Sequence, residues 1–295
     1  MFNFHYLLDC SYLIIFTANS TFKYYTNEFD IPKSYFGPDF DVMADEEFEY
    51  LFEQNFIRNI NNTCQKVFPI LNKSNYVFCQ DCPRQEIWRK QIYSNYKQNR
   101  DTLPFRFNMK PIFHKVYNFI IPKLIEDYNC CKLNCSYAEG DDIIGILTKH
   151  ILSKNDNNRI LIVSSDKDMV QLYDERKVNI LTCDGTERSP KAEIETAIKT
   201  QTNKQYTAED YLLFKICIGD TGDNIPNIKP RLGPKKTIKL IDDKSQLFKL
   251  LKEDTSIQDL FKLNSKLISF SNIPNEIKEA VIEKYEQYLE TRIDI

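Results

Sequence analysis

The sequence predicts an α/β fold: a mostly parallel central sheet flanked by helices, followed by a helical C-terminal region. Three observations predict it. Apolar runs at Phe4–Asp9, Asn75–Gln80 and Arg159–Ser164 have the length of buried strands, they alternate with stretches at helical spacing, and each leads into a carboxylate. Past Pro190 the strand pattern gives way to helical patterns. An alternation of this kind argues for a sheet whose sites form beyond the carboxyl ends of its strands.

The chain of 295 residues, 42% hydrophobic and 13% aromatic, is long enough for one large or two medium domains with a packed core. A net charge of −3 argues on average against a nucleic-acid binder, but averages hide local patches. No apolar run approaches the roughly 20 residues that cross a bilayer, and Met1 to Ile15 lacks the basic start of a signal peptide. The expectation is a soluble, cytoplasmic protein. Nine cysteines without a secretory signal are expected as reduced thiols. Cys79-x-x-Cys82 and Cys131-x-x-x-Cys135 are read as buried thiols rather than as a zinc site, because the second spacing is loose.

Taken in order, Phe4–Asp9 reads as a strand stopping on Asp9, which either caps the short helix expected over Ser11–Ala18 or serves a site. Lys23–Asp41 reads as a loop. Ala44–Phe68 carries Phe48, Leu51, Phe52, Phe56 and Ile60 at helical spacing, a core-facing stripe. The strand Asn75–Gln80 runs into Asp81. From Arg84 to Lys115, eight bases face only Glu86 and Asp101, with Trp88, Tyr93, Tyr96, Phe105 and Phe107 interleaved. That mixture suits nucleic acid, cations for phosphate and rings for exposed bases, or a solvated helix face with aromatic packing. Phe113–Tyr128 is expected as a helix kinked before Pro122.

Asn134 to Leu147 organises the rest. It reads as strand, acidic turn and helix, with Glu139 closing the strand and Asp141 and Asp142 in the first helical turn, where anions meet the positive end of the peptide dipoles. Capping explains one acid well and two adequately. At an effective dielectric near 20, two unit charges about 4 Å apart repel by roughly 4 kcal/mol, so three converging acids imply a cation. Arg159–Ser164 is the expected central strand, leading to Asp166 and Asp168, and Lys177–Thr182 is a further strand ending in a turn at Asp184-Gly185. In a parallel sheet Asp9, Asp81, Glu139 and Asp166 share one edge. Several oxygen ligands from rigid elements are what a hard cation requires, and one or two Mg²⁺ ions are expected.

Further on, Thr207–Asp210 caps a helix through Ile218, and Gly219–Pro226 forms a turn with the acids Asp220 and Asp223. Asn227–Ile241 carries Lys229, Arg231, Lys235, Lys236 and Lys239 around Pro230, Gly233 and Pro234, a basic hairpin of helices able to hold duplex phosphates without reading sequence. Leu247–Ile295 reads as packing helices. His5, His114 and His150 fit no metal or triad spacing, and no Gly-rich phosphate loop occurs, which disfavours a kinase or a serine or cysteine hydrolase.

The motifs Asp9-x-Ser11-x-Leu13, Asp81 with Trp88-Arg89 and Tyr96-Lys97-x-x-Arg100, Glu139-x-Asp141-Asp142, Ser165-Asp166-x-Asp168 and Gly219-Asp220-x-x-Asp223-Asn224-Ile225-Pro226 occur in an order that resembles the 5′-nucleases. These are the flap endonucleases, the 5′ to 3′ exonuclease domains of bacterial DNA polymerase I and their phage relatives, of which the phage enzymes such as the RNase H of T-even phages look most similar. The resemblance covers roughly residues 4 to 260. It implies a PIN-like nuclease core over 1–195, with a helical arch near 89–115, and a duplex-binding domain over 196–295, with a helix-two-turn-helix unit near 218–240. It also implies a metal-ligand set of Asp9, Asp81, Glu139, Asp141, Asp142, Asp166, Asp168, Asp220 and Asp223, with Asp141 and Asp166 central to catalysis. Lys97 and Arg100 would reach the scissile phosphate, while Arg89, Tyr96, Lys229, Arg231, Lys235 and Lys236 would contact nucleic acid. The implied cofactor is a pair of Mg²⁺ ions, with Mn²⁺ as a substitute. An extra residue and one fewer Gly in the turn at Asn227–Pro234 argue against the K⁺ ion that some relatives hold there. The implied substrates are 5′-flap, nicked or RNA-primed duplex DNA, cut by a monomer in replication or repair, with a single-strand-binding protein or sliding clamp as partner. A non-catalytic branched-DNA binder and a PIN-type ribonuclease are the alternatives; the basic hairpin weakens the second.

Overall fold

The computed structural model describes residues 2–32, 36–66, 75–102, 107–128 and 130–293. Its sheet consists of β1 (Asn3–Asp9), β2 (Asn75–Gln80), β3 (Cys131–Asn134), β4 (Asn158–Val163) and β5 (Val178–Leu181), in the order β3-β2-β1-β4-β5. Every pairing is parallel. Burial on both faces explains the continuous apolar runs. Tyr6, Leu8, Phe78, Leu161 and Val163 point into one core cluster, and Leu7, Val77, Cys79, Ile160 and Ile162 into the other.

The first face is covered by α1 (Cys10–Glu28) and α2 (Glu46–Gln65). Helix α1 is longer than expected: it runs through Lys23–Glu28 because Ala18, Phe22 and Tyr25 continue its buried stripe between polar neighbours. The stripe of α2 is the one expected, with Phe48, Phe52, Phe56 and Ile60 buried; Phe68, in the expected extension, lies outside the described residues. The short helix α3 (Trp88–Ile92) follows β2. Residues 103–106, within the expected arch, also lie outside the described residues. Helix α4 (Lys110–Lys115) passes through a π-turn at Val116–Ile120 into α5 (Ile121–Tyr128), so the disturbance expected at Pro122 takes the form of a widened turn.

The second face is covered by α6 (Gly140–Lys154) and α12 (Asn275–Ile293). Strand β3 stops at Asn134, five residues before Glu139, so Glu139 does not close the strand. It is the N-cap of α6, in a capping box with Asp142. Between β5 and α12 lie α7 (Pro190–Ile198), α8 (Ala208–Ile218), α9 (Pro234–Asp242), α10 (Lys244–Glu253) and α11 (Thr255–Ile268). One continuous apolar cluster runs from Leu7 and Val77 through Phe214 and Ile238 to Tyr285. Gly145 of α6 shares in this packing, since a Cβ there would lie 2.8 Å from the Phe270 ring. All nine cysteines are free thiols, and among the described residues no helix is long and apolar enough to cross a membrane.

Candidate metal centre

The strand order reverses between β1 and β4, so the connections leaving these strands diverge and open a crevice at their carboxyl ends. Asp9 closes β1 and does cap α1, accepting the Tyr12 N–H at 3.0 Å on Oδ1, while Oδ2 accepts from the Ser164 hydroxyl at 2.7 Å. Its cap role and its place at the crevice coexist. Asp81, just past β2, accepts from the Ser11 hydroxyl and from the Gly140 N–H at 2.6 Å. Gly140 permits that approach, because a Cβ would sit 3.0 Å from the Cys79 carbonyl and 3.2 Å from the Asp81 carboxylate. Asp166, beyond β4, takes the Asp168 N–H at 2.7 Å.

Three further acids sit at the start of α6, and of these Glu139 and Asp141 face the crevice. One oxygen each of Glu139, Asp141 and Asp142 lies within 4.8 Å of the others. Burial pushes Glu139 upward, but the cations Lys97 and Arg89 outweigh it and hold the carboxyl at about 2. Asp141 is pushed well above the ordinary carboxylate range by burial and by Glu139 and Asp142. Asp9 is pushed up to about 7 by burial and by Asp81, with Asp166 adding to the rise.

The turn after α8 supplies the last pair. Asp220 Oδ1 accepts the Gly222 N–H at 2.7 Å, and Asp223 is paired with Arg100 and lies 3.7 Å from the Lys97 ammonium. Lys97 itself, in a left-handed backbone conformation, pairs with Glu139. Asp9, Asp81, Glu139, Asp141, Asp166, Asp220 and Asp223 all line one cleft of about 340 Å³ together with Ser11, Tyr12, Lys97 and Arg100. Seven carboxylates face three cations there, Lys97, Arg100 and Lys167. The Asp141 Oδ1 atom is buried with no hydrogen-bond partner. All-oxygen donors, an excess of negative charge and an orphaned buried carboxylate oxygen fit a divalent hard cation and suit neither zinc thiolate nor haem chemistry.

Two expected ligands do not line this cleft. Asp142 is fully buried, takes the Arg89 guanidinium on both oxygens and accepts from the Trp88 indole at 2.9 Å. Asp168 faces the Lys215 ammonium at 3.0 Å. Two expected nucleic-acid contacts are also displaced. Arg89 is 2% exposed and donates to Glu139, Asp142 and the Leu267 carbonyl, and Tyr96, also 2% exposed, spends its hydroxyl on Glu139 and Asp223. Both hold the acids in place from inside the fold. Lys229, Arg231, Lys235 and Lys236 are exposed on the hairpin before and within α9. Lys229, Arg231 and Lys236 line a second groove with Lys249 of α10.

Lys215 is the residue that sequence reasoning missed. It is buried between Asp168 and Asp220, the latter at 2.5 Å. Its only signal was a lone lysine between Phe214 and Ile216 on a helix otherwise read for its apolar stripe. A larger cavity of about 560 Å³ lies at the opposite end of the strands, beside Asn3, His150 and Glu286. Its one carboxylate is already bonded to His150 at 2.6 Å and to Lys154 at 2.9 Å, so it gathers no comparable charge.

Residues 33–208, over half of the chain, match the family model described as the 5′-3′ exonuclease N-terminal resolvase-like domain. The chain is 27% identical to a 5′-3′ exonuclease of Buchnera aphidicola over 230 residues, 74% of this chain and 73% of that protein. It is 31% identical to the DNA polymerase I of Streptococcus pneumoniae over 156 residues, 52% of this chain but 16% of the polymerase. The fold is similar to that of the bacteriophage T5 5′-exonuclease with divalent zinc bound, with a TM-score of 0.64, 15% identity and coverage of 98% of this chain and 99% of that one. It is similar also to the T5 flap endonuclease in a pseudo-enzyme-product complex with DNA and metal ions, at a TM-score of 0.63, 14% identity and the same coverage.

Proposed function

The chain belongs to the 5′-3′ exonuclease family, and from that premise we propose that it is a structure-specific nuclease, cutting phosphodiester bonds at the 5′ ends and flaps of duplex DNA or RNA-primed DNA with two Mg²⁺ ions. The observation that carries the reading is the convergence of seven carboxylates on one cleft at the carboxyl edge of a parallel sheet. Asp9, Asp81, Glu139, Asp141, Asp166, Asp220 and Asp223 would hold the ions. Divalent ions supply the charge that activates water and offsets the negative charge developing on the phosphate, and Mn²⁺ can do the same.

The chain's own residues do the rest. Arg89 and Trp88 fix Asp142, and through it the first turn of α6, so the directions of Glu139 and Asp141 do not depend on solvent. Lys215 fixes Asp168 and Asp220 in the same way. Lys97 and Arg100 are paired with Glu139 and Asp223 at the cleft. With those carboxylates otherwise neutralised, both cations are available to a phosphate. Lys229, Arg231, Lys235 and Lys236 would hold the duplex beyond the junction, aided by the α9 N-terminus, which no side chain caps.

In this reading residues 1–195 carry most of the chemistry, and residues 196–295 add Asp220 and Asp223 to the cleft and carry the duplex grip. The protein acts as a monomer in replication or repair, in the cytoplasm, beside a single-strand-binding protein or sliding clamp. A 5′-labelled flap duplex incubated with the chain and Mg²⁺ tests it. Cleavage that Asp141→Ala and Asp166→Ala abolish while duplex affinity persists supports the nuclease; binding without cleavage by the unaltered chain would favour a branched-DNA binder.

A further inference from the structure

Two short segments far apart in sequence close on one another beside the cleft. The carbonyls of Thr221, Gly222 and Asp223 are consecutive, and each accepts from the segment 95–100. Thr221 takes the Asn99 amide at 2.8 Å, Gly222 takes the Arg100 Nε–H at 3.2 Å, and Asp223 takes the Lys97 backbone N–H at 3.0 Å. The Asn224 amide answers in the other direction, donating to the Asn95 carbonyl at 2.9 Å. Asn224 lies in the left-handed region at a φ of 60°, and so does Lys97 at 57°. Asparagine tolerates that conformation, whereas a lysine adopts it where surrounding contacts impose it. The turn itself is braced without the segment, by the paired backbones of Asp220 and Ile225 and by the Gly222 and Asp223 N–H groups on Asp220 Oδ1.

We infer that Asn99 and Asn224 are positioning residues, two amides of a clasp that holds Lys97 and Arg100 at the cleft while cations occupy it. The inference rests on the nuclease reading above. Both bases lean on carboxylates, Lys97 on Glu139 and Arg100 on Asp223, and those are acids that a divalent ion claims. Once an ion takes them, the two long side chains lose their partners and regain rotamer freedom. The clasp is untouched by that exchange, because backbone carbonyls and side-chain amides carry no net charge. It fixes Arg100 at Nε, which leaves the terminal nitrogens of the guanidinium to a phosphate. It fixes Lys97 at its backbone, so the ammonium swings from a set point. Placement at this level matters to the rate, since a shift of about 1 Å in a catalytic group can cost on the order of 10²-fold.

The test is kcat and KM for a 5′-labelled flap duplex over a Mg²⁺ series, together with hydrogen–deuterium exchange of the whole chain without DNA. Asn224→Gly keeps the left-handed backbone and removes the donor, and Asn224→Asp keeps the shape but cannot donate. Each should lower kcat by about tenfold, speed exchange over 95–100, and leave KM and the Mg²⁺ concentration for half-maximal cleavage unchanged. Asn99→Ala should do the same, and Asn99→Gln, whose amide still donates, should recover part of the rate. In an Arg100→Ala chain, Asn224→Gly should cost less than it does in the unaltered chain, since one of the two groups it places is gone; general loosening of the fold gives equal costs. Unchanged kcat, equal costs in the two backgrounds, or a raised Mg²⁺ requirement would overturn the clasp while leaving the nuclease standing. An unaltered chain that cuts nothing would overturn both.

Discussion

Arg89 meets Asp142 across 53 residues of sequence through a two-point fork, its guanidinium nitrogens 2.9 and 2.7 Å from the two carboxylate oxygens. Neither side chain reaches solvent. A fork of this geometry is specific to arginine, whose planar donors match a carboxylate. Removing one partner of such a pair leaves a charge buried and uncompensated, which costs about 3–5 kcal/mol. Arg89→Met should therefore destabilise the chain by that order in urea unfolding, and Arg89→Lys should recover only part of it. A loss below about 1 kcal/mol would mean the pair behaves as a surface contact.

Gly219 ends α8 at a φ of +71°, and a Cβ there would lie 2.5 Å from the carbonyl oxygens of Ile225 and Pro226. Strain and collision act together. Gly219→Ala should destabilise by more than the roughly 1 kcal/mol of an ordinary left-handed position and should move Asp220, lowering cleavage beyond what stability explains. Wild-type rates in a folded Gly219→Ala chain would contradict the close approach.

Lys199 occupies the left-handed residue after α7, at a φ of 53°, with its N–H on the Glu195 carbonyl. Glycine is the favoured residue there because it has no Cβ to strain. Lys199→Gly should raise stability by about 0.5–1 kcal/mol and leave cleavage unchanged, being remote from the cleft. A lower melting temperature would show that the lysine side chain contributes more than its backbone costs.

Asp9 at about 7 and Asp168 at about 6 both lie above their ordinary carboxylate value of 3.8. Between pH 4 and 7 the folded chain then binds more protons than the unfolded chain, and stability falls as pH rises through that window. Glu139, held at about 2, acts oppositely: its contribution is complete above 4.5 and is lost only below that. The cation-free chain should melt several degrees lower at pH 7.5 than at pH 5, and Mg²⁺ uptake near pH 6 should release protons. A melting temperature that climbs over the same interval would rule this charge balance out.

Lys235→Ala with Lys236→Ala should weaken duplex binding and flatten the dependence of log affinity on log salt by up to about two units. Fluorescence anisotropy across a salt series measures it. An unchanged slope would move the duplex grip away from the start of α9.

Much of this arrangement was legible in the chain because its signals are local. Runs such as Ile160–Val163 are apolar on both faces because both faces are covered, and the carboxylates Asp9, Asp81 and Asp166 at or just past the ends of β1, β2 and β4 report where the sheet edge lies. What was not legible depends on direction and distance. Asp141 and Asp142 are adjacent, yet successive helical residues point about 100° apart, so one enters the cleft and the other the core. Arg89 and Tyr96 looked like contacts for nucleic acid because their partners, Asp142, Glu139 and Asp223, lie far along the chain. The length of α1 was missed for a third reason: Phe22 and Tyr25 are spaced for a helix but separated by Lys23 and Tyr24, which face outward.

The turn from Gly219 to Pro226 points both ways. Asp220 and Asp223 look into the cleft, Lys97 and Asn99 are fastened to its backbone at 3.0 and 2.8 Å, and its next residues enter the basic hairpin. On the proposed reading, cutting edge and handle are thus forged from one short piece of chain, with an apolar core common to the parts behind it. Such an instrument would measure as it cuts: the distance from the proposed grip on the duplex to the bond severed would be set by the protein, and a substrate would change what is trimmed but not the length of the gauge.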